Sequence, residues 1–423
     1  MKTLPIVLHN KKILLIGAGK VALQKAHVLH NNNVDFEIIA EDITTDIEEF
    51  TSKLTCKAFE LSDLQDYSIV IDATGNKKVT SLLVEYKKEK NILLNVVDVP
   101  GLCDFYFASL VQYGPLKIAV SSGGASPTIT QVVRDKIKNM LPSELEKFTK
   151  EKLALRKQNI IEPKKTKAQT KKMLGKVYLV GCGTGDVELL TLKAYRIIQS
   201  VDVVFIDHLI ADEILEIIPK TTKRVFVGKQ KGFHTIEQGM INKLLLEHAN
   251  EGLSIARLKS GDPYIFGRGS EEAISMVENG IFVEVIPGIS SAIAGPLLAG
   301  IPPTARGYAT NLSIVSAHLA GNRVNLEWIP LLKQDNHTVV VLMAITRVKE
   351  IKECALKIGT DINKPVAIIS NASRKNQSVK TGTLQNLEAL CENAERPAFI
   401  VFGDVVNLHS ILPSQTKLVH TSD

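Results

Sequence analysis

Two glycine-rich loops and a few carboxylates are the residues of this chain best equipped for chemistry. Near the N-terminus, Gly17-Ala18-Gly19-Lys20-Val21-Ala22 follows the apolar run Ile13–Ile16. In such a motif the first glycine permits a tight turn, the second lets a pyrophosphate approach the backbone, and a small third residue packs helix on sheet. Glu41 and Asp42 follow about twenty residues on, the spacing at which an acid meets an adenosine ribose. Gly17, Gly19, Lys20, Val21, Glu41 and Asp42 are thus candidate dinucleotide contacts, the alternative being a strand–helix turn that binds nothing. In mid-chain, Gly181-Cys182-Gly183-Thr184-Gly185-Asp186 opens a second, differently built unit. Two such units point to two nucleotide-type cofactors and two chemistries. Asp98 ends the run Asn95-Val96-Val97-Asp98. A carboxylate there can take a proton while hydride leaves for a nicotinamide, and it can equally serve as a cap or turn residue. Ser121-Ser122-Gly123-Gly124-Ala125-Ser126 offers hydroxyls and N–H groups to anions, or uses the same hydroxyls to cap the next helix.

The elements that must position these residues follow from apolar periodicity. Strands are expected at Ile13–Ile16, Phe36–Ala40, Ser68–Ala73, Ile92–Val97 and Lys117–Ser121. Alternating with helices, they imply a doubly wound parallel sheet. From Ser143 to Lys172 the reading is a helix passing into a lysine-rich, solvated linker. Beyond it, strands are expected at Lys176–Val180, Val203–Ile206, Arg224–Val227, Ser254–Leu258, Val283–Ile286, Leu312–Ser316, Thr338–Met343, Pro365–Ile369 and Ala398–Val401. The expected division is 1–142, a helical basic linker at 143–173, and 174–423.

Composition bounds the function. The 423 residues are 45% hydrophobic and 23% charged, the balance of a soluble globular protein. A net charge of +6 without blocks of Lys/Arg and aromatics suits anionic small molecules and argues against nucleic acid. Five scattered cysteines without a C-x-x-C pair argue against a disulfide framework and a structural zinc site, and fit a cytoplasmic protein. Met1–Leu8 is too short an apolar stretch for a signal peptide. Ile286–Pro303 is broken by prolines and glycines and reads as loop plus short helix, so no membrane span is expected.

Here a resemblance becomes specific. Asn95-Val96-Val97-Asp98-x-Pro100, Ile118–Pro127 and Leu4-Pro5-Ile6 resemble the N-terminal part of siroheme synthases, a precorrin-2 dehydrogenase and sirohydrochlorin ferrochelatase domain. Asp207-His208-Leu209-Ile210, Val227-Gly228-Lys229, Gly261-Asp262-Pro263-Tyr264-Ile265-Phe266-Gly267-Arg268-Gly269, Pro287-Gly288-Ile289-Ser290-Ser291-Ala292 and Ile301-Pro302-Pro303-Thr304 stand in an order that resembles the tetrapyrrole methylases, most closely uroporphyrinogen-III C-methyltransferases.

The resemblance implies an N-terminal Rossmann-like NAD-binding domain and a C-terminal methylase domain of two α/β lobes with S-adenosylmethionine in the cleft between them. It places Thr184, Ser260, Gly261, Asp262, Ile265, Ser290, Ser291, Met343 and Ala372 at cofactor positions. It makes Asp207 the proton acceptor, Lys229 the proton donor, and Asp98 a participant in dehydrogenation and metal insertion. Thr184 stands where the family usually has proline, and Ser260 and Ala372 where it has glycine. Met343 could instead fill the core. The substrate carries eight carboxylates, so Arg268, Arg306, Lys229, Lys231, His234 and His318 are candidate partners, with Ser122 a candidate in the N-terminal half. The implied activity is two methylations of uroporphyrinogen III to precorrin-2, NAD-dependent oxidation to sirohydrochlorin, and insertion of Fe(II) as substrate, without a dedicated metal-ligand cluster. A homodimer is implied too. The shorter segment 143–172 leaves open a chain without iron insertion, or one whose N-terminal domain only senses NAD.

Overall fold

The computed structural model describes residues 11–43, 45–51, 53–123, 125–228, 237–319 and 323–414. The chain forms two compact units, Met1–Ile160 and Ile161–Asp423.

In the first unit, Ile13–Ile16 (β1) is buried at every residue, as befits a parallel strand covered on both faces. It is joined by β2 (Glu37–Ala40), β3 (Leu54–Cys56), β4 (Ile69–Asp72) and β5 (Leu93–Val96). The all-parallel order is β3-β2-β1-β4-β5. The strand order reverses between β1 and β4, so a crevice opens at their carboxyl ends. Leu15, Ile38 and Ile71 pack against Ala22, Ala26 and Leu29 of helix Lys20–Asn31. Leu14, Val70 and Leu94 pack on the opposite face with Leu83 of helix Lys77–Glu89.

Two expectations are corrected here. Lys117–Ser121 is not a fifth parallel strand. Leu116–Val120 (β7) pairs antiparallel with Ser109–Tyr113 (β6) in a separate ribbon. Gly114, at φ 56°, and Pro115 make the tight turn that only an antiparallel pair can use. The fifth strand of the sheet is instead the unforeseen β3. It is a three-residue, largely exposed edge strand between Lys53 and Lys57 and has no apolar run to announce it.

The stretch read as a helix running into a linker forms two helices. Glu144–Lys157 belongs to the first unit, where Leu145 is buried and Thr149 Oγ1 donates to the Tyr113 carbonyl at 3.1 Å. Pro163–Leu174 belongs to the second and carries exposed Lys164, Lys165, Lys167 and Lys172.

The second unit has two lobes. Lys176–Gly181 (β8), Val203–Ile206 (β9), Lys223–Phe226 (β10), Ser254–Lys259 (β11) and Phe282–Ile286 (β12) form a parallel sheet ordered β10-β9-β11-β8-β12. Its inward residues alternate: Val204, Ile206, Ala256 and Leu258 on one face, Val203, Phe205 and Ile255 on the other. Asn311–Ser316 (β13), His337–Leu342 (β14), Pro365–Ser370 (β15), Ser378–Thr383 (β16) and Ala398–Phe402 (β17) form a mixed sheet ordered β13-β14-β17-β15-β16. β13 and β14 are parallel and the remaining pairs antiparallel. The sequence misses only β16 here, because Ser-Val-Lys-Thr-Gly-Thr is a polar edge strand. The apolar stretch after β12 ends in the short helix Ser291–Leu298, and among the described residues no helix is long and apolar enough to cross a membrane.

Gly17 has φ +104°, and a Cβ on it would lie 2.9 Å from the Ala73 carbonyl oxygen at the end of β4. Gly17→Ala is expected to weaken the first unit by about 1–3 kcal/mol. Urea unfolding checks this. The only tryptophan, Trp328, is buried in the second unit. Far-UV circular dichroism should gain an earlier phase while the Trp328 fluorescence midpoint stays where it was.

Candidate functional site

The apolar strands of the second unit end in polar loops, and these loops enclose a cavity of about 440 Å³. All nine residues expected at cofactor positions line it: Thr184, Ser260, Gly261, Asp262, Ile265, Ser290, Ser291, Met343 and Ala372. They come from the loops after β8, β11, β12, β14 and β15, so both lobes contribute. Asp262 ties two of these loops together, Oδ1 accepting from Tyr264 N at 2.8 Å and Oδ2 from Gly288 N at 3.1 Å. Ser290 caps helix Ser291–Leu298 through Ala292 N at 3.3 Å. The lobes are also bound to each other. Arg374 Nη2 donates to the Leu209 carbonyl at 2.7 Å, and Asp186 N donates to Ser373 Oγ at 3.2 Å.

The wall suits a polar ligand with an apolar part. Leu209, Phe266, Leu342 and Phe399 supply apolar surface. Thr184 Oγ1 and His318 Nδ1 are buried without a hydrogen-bond partner, and orphaned polar atoms at a cavity wall call for one. Ala372 keeps an ordinary backbone between the left-handed Asn371 (φ 51°) and Ser373 (φ 65°), so alanine fits where the family has glycine. Met343 is not core filler: it is 47% exposed and left-handed, φ 57°. A non-glycine residue held in that region is strained, and such strain clusters at ligand sites. These features fit S-adenosylmethionine.

Asp207 follows β9 and does not line this cavity, although Leu209, two residues on, does. Its Oδ1 accepts from His208 N at 3.0 Å and its Oδ2 from Arg257 Nη2 at 3.2 Å. Lys229, Lys231 and His234 lie outside the described residues, as does the Leu4-Pro5-Ile6 match. Arg268 forks onto Glu271 at 2.8 and 2.7 Å, and its side chain is 58% exposed. Arg306 is exposed on the turn before Tyr308.

In the first unit, Gly19 begins helix Lys20–Asn31 with no side-chain cap. Its first-turn N–H groups are thus available to an anion. Space around the Gly19 α-carbon is open to 4 Å, and Glu41 and Asp42 are exposed at the end of β2. This arrangement fits the pyrophosphate and ribose of a dinucleotide. Asp98 lies in a separate cavity of about 900 Å³ within the same unit. It is held at φ 64°, a conformation tolerated by Asp and Asn and by few other residues. Ser122 lines the same cavity, but its hydroxyl accepts from Ser126 N at 3.0 Å and donates to the Ser126 carbonyl at 3.1 Å. Ser126 Oγ caps the next helix at Ile129 N. Turn chemistry thus holds these serines.

Lys25, Arg134 and Lys138 also line the cavity and were not foreseen. Burial pushes the Lys25 ammonium below its ordinary pKa, while Asp98 and Cys103 draw it back up. No motif marks these cations, because they sit on helix faces and reach the cavity only through the fold.

The comparisons with known proteins agree with this division. Residues 4–109 match the NAD(P)-binding family model, 114–140 the central domain of sirohaem biosynthesis proteins, and 176–388 the Tetrapyrrole (Corrin/Porphyrin) Methylases. The siroheme synthase of Baumannia cicadellinicola subsp. Homalodisca coagulata is 33% identical over 449 aligned positions, covering 96% of this chain and 97% of that protein. That alignment is longer than the 423 residues of this chain, so the relative has residues that this chain lacks. The siroheme synthase of Actinobacillus pleuropneumoniae serotype 3 is 34% identical, covering 97% and 93%. A solved uroporphyrin-III C-methyl transferase from Thermus thermophilus, complexed with S-adenyl homocysteine, is 36% identical over 55% of this chain and 94% of its own, with a TM-score of 0.49.

Cys182, within the second glycine loop, is 2% exposed, and burial pushes its thiol up to about 12. It is a packing residue and not a nucleophile. At pH 8 the native protein should leave Cys182 unmodified by iodoacetamide while exposed Cys56 reacts. Peptide mass mapping before and after unfolding checks this. With two units, matching family models and relatives similar over nearly their whole length, the chain belongs to the siroheme synthase family, the multifunctional enzymes of siroheme biosynthesis.

Proposed function

We propose that this chain methylates uroporphyrinogen III twice to precorrin-2, oxidises that to sirohydrochlorin, and inserts Fe(II). The observation that carries the methylation is the convergence of nine residues, scattered between 184 and 372, on one two-lobed cavity. S-adenosylmethionine, when bound, supplies the electrophilic methyl, and NAD, when bound, accepts the hydride.

The residues do the rest. The Thr184, Ser290 and Ser291 hydroxyls and the Asp262-braced loops orient the first cofactor, and Met343 and Ala372 shape its pocket. Methylation leaves a proton to be moved off the macrocycle, which requires an acid/base pair. Asp207 is the acceptor and Lys229 the donor. Arg268 and Arg306 take substrate carboxylates, Arg268 by exchanging its exposed Glu271 partner for a propionate or acetate of the macrocycle. In the first unit, Gly17, Gly19, Lys20 and Val21 hold the dinucleotide phosphates, and Glu41 and Asp42 its ribose. Asp98 accepts a proton during dehydrogenation and the pyrrole N–H protons during metal insertion. Ser122 shapes the loop that faces the substrate, with Lys25, Arg134 and Lys138 at hand for carboxylates.

The reading includes a homodimer. Helix Pro127–Met140 leaves Ile129 57%, Val132 64%, Val133 40% and Met140 61% exposed. Spaced at i, i+3 and i+4, Ile129, Val132 and Val133 form an apolar stripe that a second copy would cover. The free cysteines suit the cytoplasm.

Asp207→Ala should lower methylation by about 100-fold or more while S-adenosylmethionine still binds, and Lys229→Ala should slow turnover too. Gly19→Asp should block NAD binding by placing a carboxylate in the pyrophosphate site, leave methylation intact and make precorrin-2 accumulate. Product analysis and equilibrium dialysis read both. Wild-type methylation by Asp207→Ala sinks the acceptor role, and joint loss of both activities in Gly19→Asp sinks the independence of the sites.

Iron insertion is tested by giving the protein sirohydrochlorin and Fe(II) and following siroheme against the spontaneous rate. The expectation is slow insertion, abolished in Asp98→Asn, with dehydrogenation retained in the unmodified chain. Insertion at the spontaneous rate means that iron is left to another protein. A first unit that binds NAD but oxidises nothing makes it a sensor.

A further inference from the structure

Arg257 and Lys259 share one face of β11, the central strand of the parallel sheet, and their side chains are 2% and 4% exposed. Two cations in such a place are costly. Glu272, on helix Gly269–Glu278 and fully buried, accepts from Arg257 Nε and Lys259 Nζ, each at 3.1 Å. Gln238 Nε2 also donates to Glu272, at 3.1 Å. Burial and the neighbouring Arg257 hold the Lys259 ammonium below its ordinary pKa, with Glu272 pulling the other way. One glutamate balances one of the two cations. The second charge is balanced by Asp207, whose side chain, 38% exposed, is the one charged member of the group to reach the surface.

Each of the three guanidinium nitrogens is engaged. Nε holds Glu272, Nη1 donates to the Leu258 carbonyl at 3.2 Å, and Nη2 reaches Asp207 Oδ2. Asp207 Oδ1 is taken by His208 N. The backbone of His208 is pinned in turn, since a Cβ on Gly228 would lie 2.2 Å from His208 N. Both carboxylate oxygens are therefore fixed from the protein side. A buried ion group seldom adds net stability over apolar residues of like volume, so this one needs another reason to be there.

We propose that Arg257 is a positioning residue for methyl transfer, gripping Asp207 from below through a charge-balanced group completed by Glu272 and Lys259. This rests on the reading of Asp207 as proton acceptor. Arg257 touches neither the cofactor cavity nor the surface, so it acts through the orientation of that carboxylate alone. A misplaced acid/base group costs up to about 100-fold in rate.

Arg257→Met is the first test. It removes the grip but leaves Glu272 and Lys259 as a matched pair and Asp207 partly in water, so the fold has no orphaned buried charge. Arg257→Lys keeps the charge but loses the fork. Both are measured in the full-length chain for kcat and KM with uroporphyrinogen III, for the S-adenosylmethionine Kd, and for Tm. The expected result is a kcat about 10- to 100-fold lower in Arg257→Met and several-fold lower in Arg257→Lys, with cofactor Kd and Tm close to those of the unmodified protein. Wild-type kcat in either variant overturns the proposal. So does a kcat that falls only in step with cofactor affinity and Tm, since that is what a purely structural residue would do. Asp207→Ala run beside them separates the two claims: wild-type turnover there removes the role of Asp207 itself, whereas slow turnover there with normal Arg257 variants removes only the grip.

Discussion

A parallel strand covered on both faces has one place to meet a ligand, its carboxyl end. This constraint governs the first unit's sheet and the parallel lobe of the second. β1, β4 and β9 are buried at every residue and almost wholly apolar, and β11 is buried from Ile255 to Lys259. Their side chains are committed to packing, so polar chemistry collects in the loops that follow: the Gly17–Gly19 turn after β1, Asp207 after β9, and Ser260-Gly261-Asp262 after β11. Asp98 follows β5 in the same way. The mixed sheet of the second lobe adds Met343 and Ala372 after β14 and β15. The sheets thus hold loop-borne chemistry at fixed points, which allows one chain to carry two cofactor sites with different loop designs.

The same constraint explains why so much could be read from sequence. Apolar runs ending in glycine, serine or aspartate announce both a strand and the position of its functional loop. Val203–Ile206 was expected at its observed bounds, and the nine cofactor positions came from loops whose order along the chain was recognisable. What escaped was whatever lacks an apolar run. The polar edge strand Ser378–Thr383 and the short β3 are held by backbone pairing to a neighbour, not by their own side chains. Lys117–Ser121 reads as a fifth parallel strand because its apolar residues look like those of a buried strand, whereas Leu116–Val120 pairs instead with Ser109–Tyr113. The turn at Gly114-Pro115 was the missed signal.

Charged side chains inside the fold were the other blind spot. Arg257 and Lys259 stand in Ser-Ile-Ala-Arg-Leu-Lys, where alternate cations resemble a strand with one wet face. Only the fold reveals Glu272 waiting above them, thirteen residues beyond Lys259. Likewise Lys25, Arg134 and Lys138 look like ordinary solvated helix residues until the first unit closes around its cavity. Ser122 illustrates the reverse case. Its loop is where a ligand-binding loop should be, yet its hydroxyl is consumed in keeping the loop's shape.

The backbone at Asp98 limits what evolution can try there. Left-handed geometry admits glycine freely and asparagine and aspartate cheaply, because a short polar side chain can hydrogen-bond locally. Longer or branched side chains pay strain before any question of chemistry arises. Of the three residues that sit comfortably, aspartate alone has a carboxylate. Drift at this site therefore has few neutral steps: nearly every accessible change that spares the fold discards the carboxylate. A lineage that lost the need for that carboxylate would be expected to show asparagine or glycine here first, with the rest of the loop unchanged.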